Sequence, residues 1–259
     1  MKFKFLLVFY IFCCNCSYGQ YYQASFKNDV LPLSLGIGVL GLGLAIEGSA
    51  SDPSLAEINA LNPNDLNFLD RGAIDNFSTT AQNASDIIFY SATALPFITY
   101  FSNKCRSNGG VIALMALETA LLNTGITSII KGSVERYRPF NYNPNVSEDM
   151  KLSSSSNFSF VSGHTSITAA FAFLTARVIT DLHPDLNKKY LVWTTAATLP
   201  AVIGILRVQA GRHFPTDVIG GYIVGAAIGY FVPSLHIVKD NNIKVSTNGL
   251  SGMNVSLKF

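Results

Sequence analysis

Arg207-Val-Gln-Ala-Gly-Arg-His213-Phe-Pro-Thr-Asp217 lies between two long apolar runs, 190–206 and 218–235. A cation, an imidazole and a carboxylate set so close together in an apolar chain need a reason. Pro215 suits the first turn of a helix, where a backbone N–H would have no partner anyway. A spacing of four then brings Asp217 towards His213. The carboxylate is expected to hold one ring nitrogen and leave the other free to attack. Arg207 adds a planar donor fork matched to phosphate. The competing reading is a helix-capping cluster at a membrane surface, and the rest of the chain decides between the two.

Of 259 residues, 49% are hydrophobic and 13% charged. That is too apolar for an ordinary soluble domain and predicts a helical membrane protein. A net charge of +2 points to no particular partner, and no repeat, long charge run or nucleic-acid-binding module is present. Cys13, Cys14 and Cys16 fall in the N-terminal segment and Cys105 stands alone. No cysteine pattern suggests a metal site.

Residues 1–20 carry Lys2 and Lys4, a short apolar stretch and small residues near Gly19. They read as a secretory signal or N-terminal membrane segment, with an apolar part too short to span comfortably. Residues 21–240 are expected to form an all-α membrane bundle of about six apolar helices. Its runs are 30–49, 86–102, 110–130, 163–180, 190–206 and 218–235. Residues 50–85 are polar and suggest short amphipathic helices lying on the surface. Residues 140–160, rich in Asn and Ser, read as an external loop. In the tail 241–259, alternation on either side of Asn248-Gly249 predicts a small β-hairpin, to which no chemistry is assigned.

Three polar motifs share one face of this bundle. Lys131-Gly-Ser-Val-Glu-Arg-Tyr-Arg138-Pro139 closes the third run, and Val161-Ser162-Gly163-His164-Thr165 opens the fourth. Arg207 closes the fifth, and His213 and Asp217 open the sixth. The 140–160 loop joins two helix ends on one side, and the turn at Lys188 lies on the other. The fifth helix therefore returns to the first side. Three cations, Lys131, Arg138 and Arg207, then surround one pocket whose natural guest is a tetrahedral oxyanion. Ser162 and Gly163, at a helix start, are expected to offer backbone N–H groups and a hydroxyl to it. Such a site stabilises charge and positions groups, which is most of what phosphoryl transfer requires. Two histidines divide the remaining work, one attacking phosphorus and one protonating the leaving oxygen. Arg136, Arg212, His183 and His236 find no place in the pattern and read as rim or surface residues.

Lys131-x6-Arg138-Pro139, Ser162-Gly163-His164 and Arg207-x5-His213-x3-Asp217 together resemble the three signature motifs of the type 2 phosphatidic acid phosphatase superfamily. That superfamily takes in lipid phosphatases, soluble acid phosphatases and vanadium haloperoxidases. The motifs cover about the C-terminal half of the chain in the expected order. Val161 departs from a common proline and Leu206 from a common serine. The resemblance implies a cofactor-free, metal-independent phosphatase working through a phosphohistidine. His213 would be the nucleophile, Asp217 its orienter and His164 the proton donor. Lys131, Arg138, Ser162, Gly163 and Arg207 would hold the phosphate.

A membrane phosphatase acting on a lipid phosphate or diphosphate in the bilayer is the leading expectation. A phosphatase of small soluble esters, a vanadate-dependent haloperoxidase and a non-catalytic membrane protein are the alternatives. Lys104 and Arg106 in one short turn and Lys188 and Lys189 in another place those turns in the cytoplasm. The site would then face the periplasm from a bacterial inner membrane. A signal cleaved near Gly19 and a spanning 30–49 segment together imply the opposite face. So either 30–49 does not cross or 1–20 is not a cleaved signal.

Overall fold

Each apolar run folds as a helix, and the helices carry the polar motifs on their ends. The computed structural model describes residues 21–24, 26–238, 243–247 and 253–257. The expected signal at 1–20 lies outside them. The long helices are α1 (Phe26–Gly48), α2 (Thr79–Thr93), α3 (Gly109–Val134), α4 (Gly163–Leu182), α5 (Lys189–Gln209) and α6 (Pro215–Phe231). Among the described residues, five helices are long and apolar enough to cross a membrane, all of these except α2. The 86–102 run is therefore not one continuous helix, although it passes from the start of α4, where Asp86 meets His164, to its end, where Ser102 meets His183. The helix stops at Thr93, and a four-residue helix, Leu95–Ile98, and a 3-10 turn, Thr99–Phe101, complete it. Pro96 is the cause, because it supplies no N–H and its ring collides with the preceding turn.

Helix α4 is the central post, packed against α2, α3, α5 and α6. Its core face carries Ala170, Leu174 and Val178, all essentially buried. Small residues set how closely the helices approach. Gly221, Gly225 and Gly229 of α6 lie against the backbone of Ser162, Ser166 and Ala170, so α6 runs parallel to α4. Gly125 and Gly132 of α3 lie against the backbone of Leu40 and Glu47, so α1 runs parallel to α3. Close packing of this kind takes the place of the hydrophobic drive that lipid cannot supply. The direction of α1 has a topological consequence. Its start, at Asp29, lies at the end of the bundle opposite Lys131. Leu31, Leu35 and Leu42 of α1, Ile205 of α5 and Ile223 of α6 stay exposed, as side chains facing lipid would.

The segments at the Lys131 end form a packed polar layer. Residues 140–160 were expected as an external loop, yet Asn141, Asn143, Ser156, Asn157 and Ser159 are buried. The side-chain amides of Asn141, Asn143 and Asn157 bond backbone groups that a loop would otherwise leave to water. The Arg138 N–H and Asn141 Nδ2 both donate to the Ser156 carbonyl at 2.9 Å, and Asn157 Nδ2 donates to the Ser51 carbonyl at 3.0 Å. Of residues 50–85, expected to form short surface helices, Leu55–Asn59 is one, opened by a Ser54–Glu57 capping box, whereas 79–85 are the first turns of α2.

At the other end, His236 is not the surface residue its isolation in the sequence suggested. It is buried, with Nε2 2.7 Å from Glu118 Oε2 and Nδ1 3.4 Å from Asp29 Oδ1. His183 is half-buried, with Nε2 2.9 Å from Ser102 Oγ. Backbone strands β1 (Ile243–Thr247) and β2 (Met253–Leu257) pair antiparallel beyond the bundle, and no role is assigned to them.

Candidate active site

The parallel pairing of α4 and α6 puts their N-terminal ends side by side, and the Ser162 N–H donates to the Asp217 carbonyl at 2.9 Å. The antiparallel α5 delivers Arg207 to the same end. Between α5 and α6 the chain reverses through Gly211, whose φ of +67° is the left-handed region that glycine adopts without penalty. The Phe140 N–H donates to the Gly211 carbonyl at 3.1 Å, and Arg138 Nη1 donates to the Arg212 carbonyl at 3.0 Å. Arg138 Nε is taken by the Ser155 carbonyl at 2.8 Å. All three motifs thus meet, as their spacing predicted.

His213 is 2% exposed, with Nδ1 2.8 Å from the Ser159 carbonyl. A carbonyl only accepts, so Nδ1 carries the hydrogen and Nε2 carries the lone pair. Arg138 Nη1 lies 3.4 Å from that Nε2. Burial, then the charges of Arg138, Arg207 and Lys131, hold the His213 ring well below the usual imidazole range. It stands as a neutral imidazole whose Nε2 lone pair faces the cations and accepts from Arg138 Nη1.

Asp217 departs from expectation. Its Oδ2 is 3.8 Å from His213 Nδ1, too far for a hydrogen bond. That oxygen accepts instead from Ser159 Oγ at 2.5 Å and from the Phe214 N–H at 2.7 Å. As the third residue of α6 it caps its own helix, which draws the carboxylate away from the ring. Arg136 Nη1 meets the other oxygen at 2.5 Å, and Arg136 Nη2 meets Asp70 Oδ2 at 2.7 Å. Asp217 reaches His213 through Ser159. The carboxylate fixes the residue whose carbonyl fixes the ring.

Ser162 also departs from expectation. It is fully buried, with its N–H on the Asp217 carbonyl and its hydroxyl shared with Thr165 at 3.0 Å. Gly163, first residue of α4, keeps its N–H outside the helical ladder. A Cβ placed there would lie 3.4 Å from Lys131 Nζ, so Lys131 and the helix start face one space.

His164 is one-third exposed, with Nε2 3.0 Å from Asp86 Oδ1 and its ring 4.3 Å from that of Phe89. Asp86 Oδ1 also accepts from Arg207 Nη1 at 3.2 Å, and Ser85 Oγ takes the same nitrogen at 3.2 Å. Arg212 is bound by Gln82 Oε1 at 2.7 and 3.1 Å. Helix α2 therefore forms a wall of the site through Gln82, Ser85 and Asp86, and none of the three was singled out from sequence. A carboxylate inside an otherwise apolar run was the available signal for Asp86. Arg136 and Asp70 offered none, because their pairing spans 66 residues. Among the described residues, no group of three His, Cys, Asp or Glu could hold a metal ion.

A membrane-type helical bundle with a cluster of cations and two histidines at one end defines a recognisable class. The model of the PAP2 superfamily matches residues 110–240, just over half of the chain, and the chain belongs to that superfamily. It is 33% identical over 124 residues to phosphatidylglycerophosphatase B of Bacillus subtilis, covering 48% of this chain and 56% of that one. It is 24% identical over 147 residues to lipid A 4'-phosphatase of Porphyromonas gingivalis, covering 56% of this chain and 58% of that one. The chain thus spans little more than half the length of these curated relatives. A solved transmembrane PAP2-type phosphatidylglycerolphosphate phosphatase of Bacillus subtilis aligns over 78% of this chain and 94% of its own, with 24% identity and a TM-score of 0.49. The family match ends at residue 240, so it lends the C-terminal hairpin no support.

Proposed function

We propose that this protein is a membrane phosphatase that hydrolyses a lipid phosphate ester through a phosphohistidine on His213. The observation that carries the reading is the Ser159 carbonyl on His213 Nδ1, which leaves the Nε2 lone pair facing a pocket of cations. Family membership and relatives named as lipid phosphatases agree with it.

The proposed steps follow from the residues. Lys131, Arg138, Arg207 and the Gly163 N–H hold the phosphate oxygens and offset the charge that spreads over them in the transition state. His213 Nε2 forms a bond to phosphorus as the P–O bond to the alcohol breaks, and His164 gives its proton to the leaving oxygen. The neutral His164 then takes a proton from water, the new oxygen bonds to phosphorus, the P–N bond breaks and inorganic phosphate leaves. No metal enters these steps.

The pocket lies at the ends of apolar helices, so a lipid can present its phosphate there while its chains stay beside the bundle. Each CH₂ kept out of water is worth about 0.8 kcal/mol, which gives lipid esters an advantage in KM over short-chain ones. The basic turns Lys104–Arg106 and Lys188–Lys189 favour the periplasmic face of an inner membrane for the site. Because α1 runs parallel to α3, that placement leaves the start of α1 on the cytoplasmic face. It is incompatible with a signal cleaved near Gly19.

The test is phosphate release by purified protein from lipid phosphates, lipid diphosphates, short-chain analogues and soluble esters. A lower KM for the lipids supports the proposal, and equal KM values across the panel point to the soluble-ester alternative. Orientation is tested with Cys13, Cys14, Cys16 and Cys105 replaced by Ser and single cysteines placed in 140–160 or 182–189. An impermeant maleimide should label only the first set on intact cells, and labelling of only the second reverses the orientation.

A further inference from the structure

The second histidine has a partner that none of the three motifs contains. Asp86 projects from α2, and its Oδ1 meets both His164 Nε2 at 3.0 Å and Arg207 Nη1 at 3.2 Å. An ionised carboxylate only accepts hydrogen bonds, so His164 Nε2 carries hydrogen in that contact. The nitrogen that exchanges a proton with the substrate is then Nδ1. Phe89, three residues further along the same helix, lies against the ring of His164 with 4.3 Å between centroids. One helix thus fixes both the plane of the imidazole and the identity of its working nitrogen.

The charges around His164 make this contact consequential. Arg207 from α5 and Lys131 from α3 are the cations near it, and Arg212 is held by Gln82. On the α6 side His213 is neutral, and the Asp217 carboxylate is already engaged by Arg136. Asp86 is the carboxylate in direct contact with the ring. Asp86 is thus the negative charge placed against the cations that share the ring's surroundings.

We propose that Asp86 is a positioning residue of this reaction: it locks His164 and Arg207 into one hydrogen-bonded unit and retains on His164 the proton that the leaving oxygen receives. The inference rests on the phosphatase reading above. In the first step the proton on Nδ1 passes to the alcohol oxygen as the P–O bond breaks. Nε2–H stays on Asp86, which remains ionised throughout. In the second step the Nδ1 lone pair, still oriented by Asp86, takes a proton from the attacking water.

The experiment compares kcat/KM for a long-chain alkyl phosphate and for p-nitrophenyl phosphate, across pH, in Asp86→Asn, Asp86→Glu and His164→Ala proteins. kcat/KM reports formation of the phosphoenzyme, and only the alkyl ester needs a proton on its leaving oxygen. Asp86→Asn keeps an acceptor and removes the charge. The alkaline limb for the alkyl ester should move down by about one pH unit, the lower end of the range for a neighbouring opposite charge, because Asp86 is about one-third exposed. On that limb the alkyl-to-aryl ratio should fall by about tenfold, the equivalent of one pH unit. Asp86→Glu should recover both the limb and the ratio. Equal losses on both esters would reduce Asp86 to a structural role and overturn the proposal, as would an unmoved limb and ratio in Asp86→Asn. Should His164→Ala leave the alkyl-to-aryl ratio intact, the phosphatase mechanism itself fails, which distinguishes the two failures.

Discussion

Replacing Ser159 by alanine removes one hydroxyl, yet it should slow the enzyme substantially. Ser159 Oγ donates to Asp217 Oδ2 at 2.5 Å in a fully buried, charge-assisted hydrogen bond. Such a bond contributes about 1.5–3 kcal/mol. Its loss loosens the residue whose carbonyl holds His213 Nδ1. If that contribution is expressed at the nucleophile, phosphoenzyme formation slows by about ten- to a hundred-fold, since about 1.4 kcal/mol is a factor of ten. Asp217→Asn should retain residual activity and fall in the same range, because the carboxylate acts on the ring through the same residue. The two changes together should cost much less than their product, with a coupling of about 1 kcal/mol or more in a double-mutant cycle. The assay is single-turnover phosphoenzyme formation in detergent, with folding monitored by thermal unfolding. Wild-type rates in Ser159→Ala alongside a slow Asp217→Asn would refute the relay and restore a direct carboxylate–imidazole contact.

Three further outcomes follow from the same geometry. Arg136→Ala leaves the buried carboxylates of Asp70 and Asp217 without their shared cation and should cost about 3–5 kcal/mol of stability, read as a lowered thermal midpoint. His213 has a depressed folded-state pKa, so below about 6.5 the unfolded chain binds a proton that the native chain does not. The His213 contribution to stability is therefore retained above that pH and lost as the pH falls towards the folded value, and His213→Gln should flatten this acid limb in unfolding scans. Activity should survive EDTA and be inhibited by vanadate, whose trigonal-bipyramidal adduct mimics the transferring phosphoryl group. Strict dependence on Mg²⁺ in phosphate-release assays would contradict that.

The helices and the meeting of three motifs were legible because both follow from local rules. Apolar runs of spanning length dictate helices, and alternating loop sides dictate which ends meet. The contacts within the site were less legible. Asp217 sits four residues from His213, a spacing that permits contact, but the Phe214 N–H and Ser159 Oγ claim the nearer oxygen. Ser159 acts on the ring through its carbonyl, a group every residue carries, so no pattern of side chains marks it. Asp86 lay inside a run read as apolar, and its partners lie 78 and 121 residues away. The break at Pro96 was missed for a related reason, since it depends on where a single proline falls in the turn.

The central claim is that His213 Nε2 carries the phosphoryl group. Rapid quenching of turnover on a lipid phosphate labelled with ³²P at phosphorus tests it most directly. Acid-labile, base-stable label should appear on the wild-type protein and map to His213, and be absent from His213→Ala. Label of undiminished yield on His213→Ala, or normal turnover by that variant, would contradict the account.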